Sequence, residues 1–256
     1  MMQFEDILYV KDDGIARITI NRPQAYNAFR TQTLKEISHA LDDADLDSEV
    51  RAVVLRGAGD QAFCTGGDMQ ESKGGGYDKE MDHWHTKVHQ MLRLITKPVI
   101  AAVNGWAIGG GHILQVICDV SIAADTAKFG QAGPRVGSFD AGFGAAYLAR
   151  VVGEKKAREI WFWCRTYSAQ EALEMGLVNK VVPDKELMPT TRAMAEKIAG
   201  YPPMAVRMTK QTLMKTTEVS REATILETYL FKESATSDAV AKGMKAWADT
   251  AKKPLH

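Results

Sequence analysis

The sequence predicts an α/β protein with parallel strands. Short apolar runs alternate with longer amphipathic stretches through the first half, and Gly, Pro, Asn and Asp clusters punctuate them. After Ala145 the character changes to helical segments interrupted by one short strand, and from Met204 to Trp247 the pattern is almost wholly helical.

Ile15–Ile20 (IARITI) alternates in the manner of a strand, and Asn21-Arg22-Pro23 breaks it. Thr31–Asp45 places Leu34, Ile37, Leu41 and Ala44 at helical spacing on a polar background. Ala52–Leu55 is a short apolar strand ending in a turn cluster, RGAGD. Gly74–Tyr77 reads as a loop, followed by a helix from Lys79 to Leu94. Pro98–Asn104 is a buried strand ending at Gly105; Gly109–Gly111 leads into a helix, and Val120–Ala123 is a further strand. Helices are expected at Ala145–Val151, Lys155–Cys164, Ala169–Met175 and Glu186–Ile198, with a short strand, Val178–Val182, before Pro183. Tyr201-Pro202-Pro203 reads as a linker between residues 1–200 and a helical part, 201–256, whose pattern from Met204 to Trp247 offers Met204, Val206, Met208, Leu213 and Met214 for packing.

Composition narrows the function. The 256 residues carry 32 Lys plus Arg against 32 Asp plus Glu, so no net field draws the chain to nucleic acid or an anionic membrane. The opening MMQFEDILYVKDDG has acids where a signal peptide needs bases, and no apolar run approaches the roughly 18–20 residues of a membrane span. The three cysteines, Cys64, Cys118 and Cys164, are too scattered for a disulfide framework or zinc site and read as small core fillers. A cytoplasmic protein is the expectation.

Two glycine-dense junctions follow predicted strands: Ala62–Asp68 (AFCTGGD) and Asn104–His112 (NGWAIGGGH). Glycine lets backbone approach a ligand, and a helix N-terminus adds unpaired N–H donors. Two such ends facing one another would cradle a developing oxyanion, although close packing of helix on strand also calls for glycine. Neither loop has dinucleotide or Walker A spacing. His83, His85 and His89 do not share one helix face as a triad and are expected on a solvated or partly packed helix rather than around a metal. His112 reads as a packing or capping residue. Lys73 and the GGGY loop could close over a substrate or be plain loop.

The motifs NRPxxxNAF (Asn21–Phe29), AFCTGGD, KPVIAAVNGWAIGGG (Lys97–Gly111), FGQxG (Phe129–Gly133) and AxxMGLVNxVV (Ala172–Val182), in this order, resemble the crotonase (enoyl-CoA hydratase/isomerase) superfamily over essentially the whole chain. The resemblance implies a spiral of ββα turns holding the acyl-CoA site in residues 1–200, a C-terminal helical trimerisation region, and a trimer or dimer of trimers. It also implies an acyl-CoA substrate whose thioester oxygen is held by the N–H groups of Gly67 and Gly110. Ala28, Thr65, Gly66, Asp68 and Met69 would line the CoA track. Tyr26 stands where relatives often carry a basic residue, and Arg30 could compensate.

The departures narrow the chemistry. Hydrating members resemble GGGxE and FxQPE, where this chain has Ile113 and Gly133, and neither side chain transfers protons. The stretch Gly130–Arg150 resembles two subgroups, 1,4-dihydroxy-2-naphthoyl-CoA synthase and 2-ketocyclohexanecarboxyl-CoA hydrolase. That likeness makes Asp140, in GSFDAG, the candidate catalytic carboxylate, with Ser138 its hydrogen-bonding neighbour; from the residues alone, Asp140 could equally be a turn or cap residue. In the synthase a bicarbonate can replace the missing glutamate, and Gln131, Gly133 and Trp161 match its holders. Ala132 removes the expected hydroxyl, so no cofactor is expected beyond the CoA of the substrate. Both subgroups bring a tyrosine from near the C-terminus into a neighbouring site; here the matching positions are Ser234 or Ala235, with Tyr229 and Phe231 further back. The resulting expectation is carbon–carbon bond breaking in a cyclic β-keto acyl-CoA. Alternatives are synthase-type ring closure, another hydratase/isomerase-type activity, and non-catalytic acyl-CoA binding.

Overall fold

Strands β1 (Ile7–Asp12), β2 (Ile15–Ile20), β3 (Ala52–Gly57), β5 (Val99–Val103), β7 (Val120–Ala124) and β10 (Lys180–Val182) form one sheet in the order β1-β2-β3-β5-β7-β10. The computed structural model describes residues 4–71, 79–139 and 144–216, together with Lys242 and Lys245. Every pairing in this sheet is parallel except β1 with β2. The expected fold class is therefore observed, with one antiparallel edge.

Both faces of the central strands are covered, which is why they read as unbroken apolar runs rather than alternating ones. Val53 and Leu55 of β3 enter one core, with Val99, Ala101 and Val103 of β5. Ala52 and Val54 enter the other, with Ile100 and Ala102. Helix α1 (Thr31–Leu46) closes the first core through Leu34, Ile37, Ala40, Leu41 and Ala44, and α2 (Lys79–Leu94) packs beside it. Helix α7 (Leu187–Ala199) closes the second through Leu187 and Ala195.

A second, four-stranded sheet was not expected from the sequence. It orders β4 (Ala62–Cys64), β6 (Trp106–Ile108), β8 (Lys128–Gly130) and β9 (Tyr167–Ser168). The chain thus repeats a unit: β3-β4-α2, then β5-β6-α3 (Gly110–Ile117), then β7-β8-α4 (Gly144–Val152). The first strand of each pair joins the large sheet and the second joins the small one. This is the expected spiral of ββα turns. Where a unit crosses between sheets, backbones touch: a Cβ on Gly105 would lie 2.2 Å from the Gln61 carbonyl oxygen, and one on Gly111 would lie 2.0 Å from that of Cys64.

Helices α5 (Glu154–Trp163) and α6 (Ala169–Glu174) follow, and α8 (Pro203–Thr216) begins after the Tyr201–Pro202 segment. Lys210 of α8 is buried, and its ammonium donates to the Lys97 carbonyl at 2.9 Å and to Asp119 Oδ2 at 2.6 Å. Among the described residues, no helix is long and apolar enough to cross a membrane. Most of the expected C-terminal helical stretch, with Tyr229, Phe231, Ser234 and Ala235, lies outside the described residues, as do Lys73 and Gly74–Tyr77.

Candidate active site

The small sheet brings the two glycine segments together. β4, β6 and β8 run parallel, so their C-terminal ends deliver Thr65–Asp68, Gly109–Gly110 and Gln131–Gly133 to one edge. Gly66 and Gly109 adopt φ of 93° and 57°, a region that side-chain-bearing residues rarely enter. A Cβ on Gly66 would lie 3.1 Å from the Gly110 nitrogen, so the two backbones are neighbours.

The donors arise differently. Gly110 is the first residue of α3, so its N–H has no acceptor within the helix. Gly67 was expected at a helix end, but the described residues from Thr65 to Glu71 form no helix. Gly67 instead forms a parallel bridge with Phe29: the Phe29 N–H donates to the Gly66 carbonyl at 2.8 Å, and the Asp68 N–H donates to the Phe29 carbonyl at 2.8 Å. Because N–H groups alternate sides along extended chain, that of Gly67 is turned away from the Phe29 segment. The Phe29 ring supports the other loop, since a Cβ on Gly110 would lie 2.8 Å from Phe29 Cζ.

Two asparagines absent from the sequence-based site hold the turn from β3 into β4, Gly57–Ala62, ahead of the first glycine loop. Asn104 Nδ2 donates to the carbonyls of Gly57 at 3.0 Å and Gly59 at 2.7 Å, while its Oδ1 accepts from the Gly57 N–H at 3.1 Å. Asn27 sits at φ 55° and donates to the carbonyls of Ala58 at 2.9 Å and Ala62 at 2.7 Å. Their place within NAF and VNG was the available signal, because Asn tolerates left-handed backbone and satisfies stray carbonyls.

The remaining candidates divide. Ala28 is buried, Met69 is exposed, and the Thr65 hydroxyl donates to the Tyr26 carbonyl at 3.3 Å. Asp68 spends Oδ2 on Arg22 at 2.7 Å and Oδ1 on the Gln70 N–H at 2.9 Å. Burial alone would raise its carboxyl, but these bonds and the charges of Arg22 and Arg30 hold it below the usual range. The Arg30 guanidinium is engaged by Asp6 at 2.7 Å and Glu5 at 2.5 Å, which directs its charge at these acids. A cleft of about 340 Å³ opens at the opposite, N-terminal ends of the small-sheet strands, lined by Tyr26, Asp60, Gln61, Gly105, Trp106 and Thr126. Among the described residues that line it there is no Lys or Arg.

Ile113 and Gly133, the positions that the resemblance aligns with the hydrating glutamates, are both buried. A Cβ on Gly144 would lie 2.5 Å from Ile113 Cδ1, so α4 seats directly on that isoleucine. The Ser138 N–H donates to the Gly133 carbonyl at 2.8 Å, closing the turn that precedes Asp140. Asp140 itself lies outside the described residues. Gln131 and His112 are buried and joined Nε2 to Nδ1 at 2.8 Å; Gln131 Oε1, His112 Nε2 and the indole Nε1 of buried Trp161 have no partner among the described residues. Burial pushes the Cys64 thiol up to about 12 and so favours its protonated form, despite backbone N–H bonds from Gly66 and Phe29.

The histidines of α2 lie on a partly packed helix, with His83 exposed. His85 and His89 share a face of α2 at i,i+4 spacing, are buried, and stack with centroids 4.0 Å apart. Burial depresses both, that of His89 to about 4, and it depresses His112 to about 3. Among the described residues no group of three or more His, Cys, Asp or Glu could hold a metal. The folded protein therefore keeps these rings neutral while the unfolded chain takes up protons below about pH 6.5, so stability falls as pH drops through that window. The expected loss is on the order of 1 kcal/mol per pH unit per buried histidine. Urea midpoints at pH 7.5, 6 and 5 check this, and unchanged midpoints would contradict it.

A spiral of ββα turns that brings two backbone N–H donors to one sheet edge defines a class, the crotonase-type acyl-CoA enzymes. The enoyl-CoA hydratase/isomerase family model matches residues 10–255, and the chain belongs to that family. The chain is similar to a carnitinyl-CoA hydratase from Mycobacterium avium, at 32% identity over 99% of each chain with a TM-score of 0.86. It is also similar to an enoyl-CoA hydratase/isomerase from Xanthobacter autotrophicus Py2, at 30% identity over 99% of this chain and 100% of that one, TM-score 0.85. An enoyl-CoA hydratase from Mycobacterium avium subsp. paratuberculosis K-10 gives 25% identity over 96% and 100%, TM-score 0.88.

Proposed function

We propose that this acyl-CoA enzyme acts on a carbon–carbon bond through a thioester enolate, opening the ring of a cyclic β-keto acyl-CoA by hydrolysis, as 2-ketocyclohexanecarboxyl-CoA hydrolase does. The observation that carries this reading is the pair Ile113 and Gly133, an aliphatic side chain under α4 and a residue without a side chain where glutamates would handle water. The reading departs at these positions from the hydratase names of the solved relatives.

Water adds to the ring ketone, and the bond between that carbon and the α-carbon of the thioester breaks. The bonding electrons pass to the α-carbon and are delocalised onto the thioester oxygen, where Gly67 and Gly110 N–H donate. Such a donor acts most strongly on charge that develops in the transition state, and losing one typically costs about 3–4 kcal/mol. Asp140 deprotonates the water and returns a proton to the α-carbon, leaving an acyclic carboxylic acid. Ser138 orients Asp140, and Ala28, Thr65, Gly66 and Met69 line the CoA track. Asp68, tied to Arg22, acts there through the loop it anchors.

A second reading is ring closure of the naphthoyl-CoA synthase type. It is favoured by the Trp161 indole N–H, which has no partner among the described residues and could donate to a bound bicarbonate, while the Gln131 amide nitrogen meets His112. The exposed Met204, Met208 and Leu213 of α8 support the expected trimeric assembly.

Purified protein offered crotonyl-CoA, 2-ketocyclohexanecarboxyl-CoA and succinylbenzoyl-CoA in parallel, with CoA-ester products followed by mass, tests the proposal. The expected result is a ring-opened product and negligible hydration of crotonyl-CoA. Robust crotonyl-CoA hydration overturns it, and binding of all three without turnover favours a binding protein.

A further inference from the structure

We infer that Arg22, the arginine of the Asn21-Arg22-Pro23 turn, is a positioning residue that sets the Gly67 donor; the inference rests on the oxyanion role proposed for Gly67. The guanidinium spans the two chain segments whose bridge defines that loop. Nη1 donates to the Ala28 carbonyl at 2.5 Å, and Nη2 donates to Asp68 Oδ2 at 2.7 Å. Ala28 precedes Phe29, and Phe29 holds the Gly66 carbonyl and the Asp68 N–H. Gly67 is therefore the single residue between two anchored groups, and Arg22 closes the ring of bonds from the other side.

The guanidinium is itself fixed. The Arg22 side chain is 12% exposed, and its Nε lies 3.7 Å from Asp6 Oδ1. Asp6 is brought there because the buried Glu36 carboxylate accepts the N–H groups of Glu5 and Asp6 at 2.7 Å and Ile7 at 3.1 Å. Burial would raise the Asp6 carboxyl, but bonds from Arg30 and Thr33 and the charges of Arg30 and Arg22 keep it low. Asp6 thus remains an anion that restrains both arginines. A planar fork can meet a carbonyl and a carboxylate on separate segments at once, whereas a lysine ammonium on a flexible stem holds neither in register. A loop bearing two consecutive glycines has little stiffness of its own, so its donor needs an outside brace.

The experiment uses Arg22→Lys and an acyl-CoA substrate analogue labelled with ¹³C at the thioester carbonyl, followed by infrared difference spectroscopy. Wild type is expected to shift the bound carbonyl stretch to lower frequency. Absence of that shift overturns the oxyanion reading itself, whatever the variant does. Given the shift, Arg22→Lys is expected to lose most of it and to lower kcat about 10- to 100-fold, with analogue affinity within about twofold and melting temperature little changed. An undiminished carbonyl shift in Arg22→Lys overturns the positioning role, with or without a fall in kcat. Should Arg22→Lys fail to fold, Asp68→Asn removes the same link from the other end while keeping size, and the same shift is expected to shrink; retention of the full shift overturns the proposal.

Discussion

Asp140→Asn is expected to lower kcat roughly 10²–10⁴-fold, the span usual for a positioned acid–base group, while acyl-CoA affinity changes little. Asparagine keeps the size and turn-forming capacity of aspartate but neither its charge nor its ability to take a proton. The argument has two parts. Ile113 and Gly133 remove both hydratase carboxylates, and Asp68 is bound through both oxygens to Arg22 and the Gln70 N–H. Asp140, in the GSFDAG stretch, is the carboxylate that the resemblance implies. Binding is expected to survive because the thioester and CoA are held by backbone donors and the loop residues. A turn-only aspartate gives the opposite pattern, near-normal turnover with any deficit in stability. Measuring kcat, affinity and melting temperature on the single variant separates the two.

Gly110→Pro is expected to fall a further 10²–10³-fold in kcat below Gly110→Ala, as for loss of one oxyanion donor. Both variants place a Cβ 2.8 Å from Phe29 Cζ, so both must tilt that ring. Only proline also removes the N–H. Gly110 is the first residue of α3, the helical position that best tolerates proline, so the backbone need not rearrange. The ratio of the two rates removes the shared cost of the Cβ and reports the lost donor together with the ring carbons that replace its hydrogen, and melting temperatures of both report the packing cost. Equal turnover in the two variants would remove Gly110 from the oxyanion hole.

Much of the architecture was legible because its signals are local. The parallel strands were visible as apolar runs, since burial on both faces leaves no polar alternation, and Ala52–Leu55 and Pro98–Asn104 fall on β3 and β5. The helices at Thr31 and Lys79 begin where the periodicity places them. The small sheet escaped notice because β4, β6, β8 and β9 are two or three residues long, too short for any period to declare itself. The antiparallel edge β1 escaped for another reason: Leu8 and Val10 are exposed while Ile7 and Tyr9 face the core, so apolar residues stand on both faces and no alternation marks the strand.

By itself the sequence determined the fold class, the two glycine segments, and the absence of acids at Ile113 and Gly133, because each is a property of residue identity at a position. Tertiary structure alone decided how those segments meet. Gly67 becomes a candidate donor through a bridge to Phe29, 38 residues earlier by number, rather than through a helix end. Arg22 reaches Asp68 across 46 residues, and Arg30, an expected partner of CoA, turns to Asp6 instead. His85 and His89 are buried and neutral because α2 lies against the core that Phe29 also enters. Local propensity cannot specify such pairings: hydrogen bonds and burial between distant segments exist only once the sheets have brought them within reach.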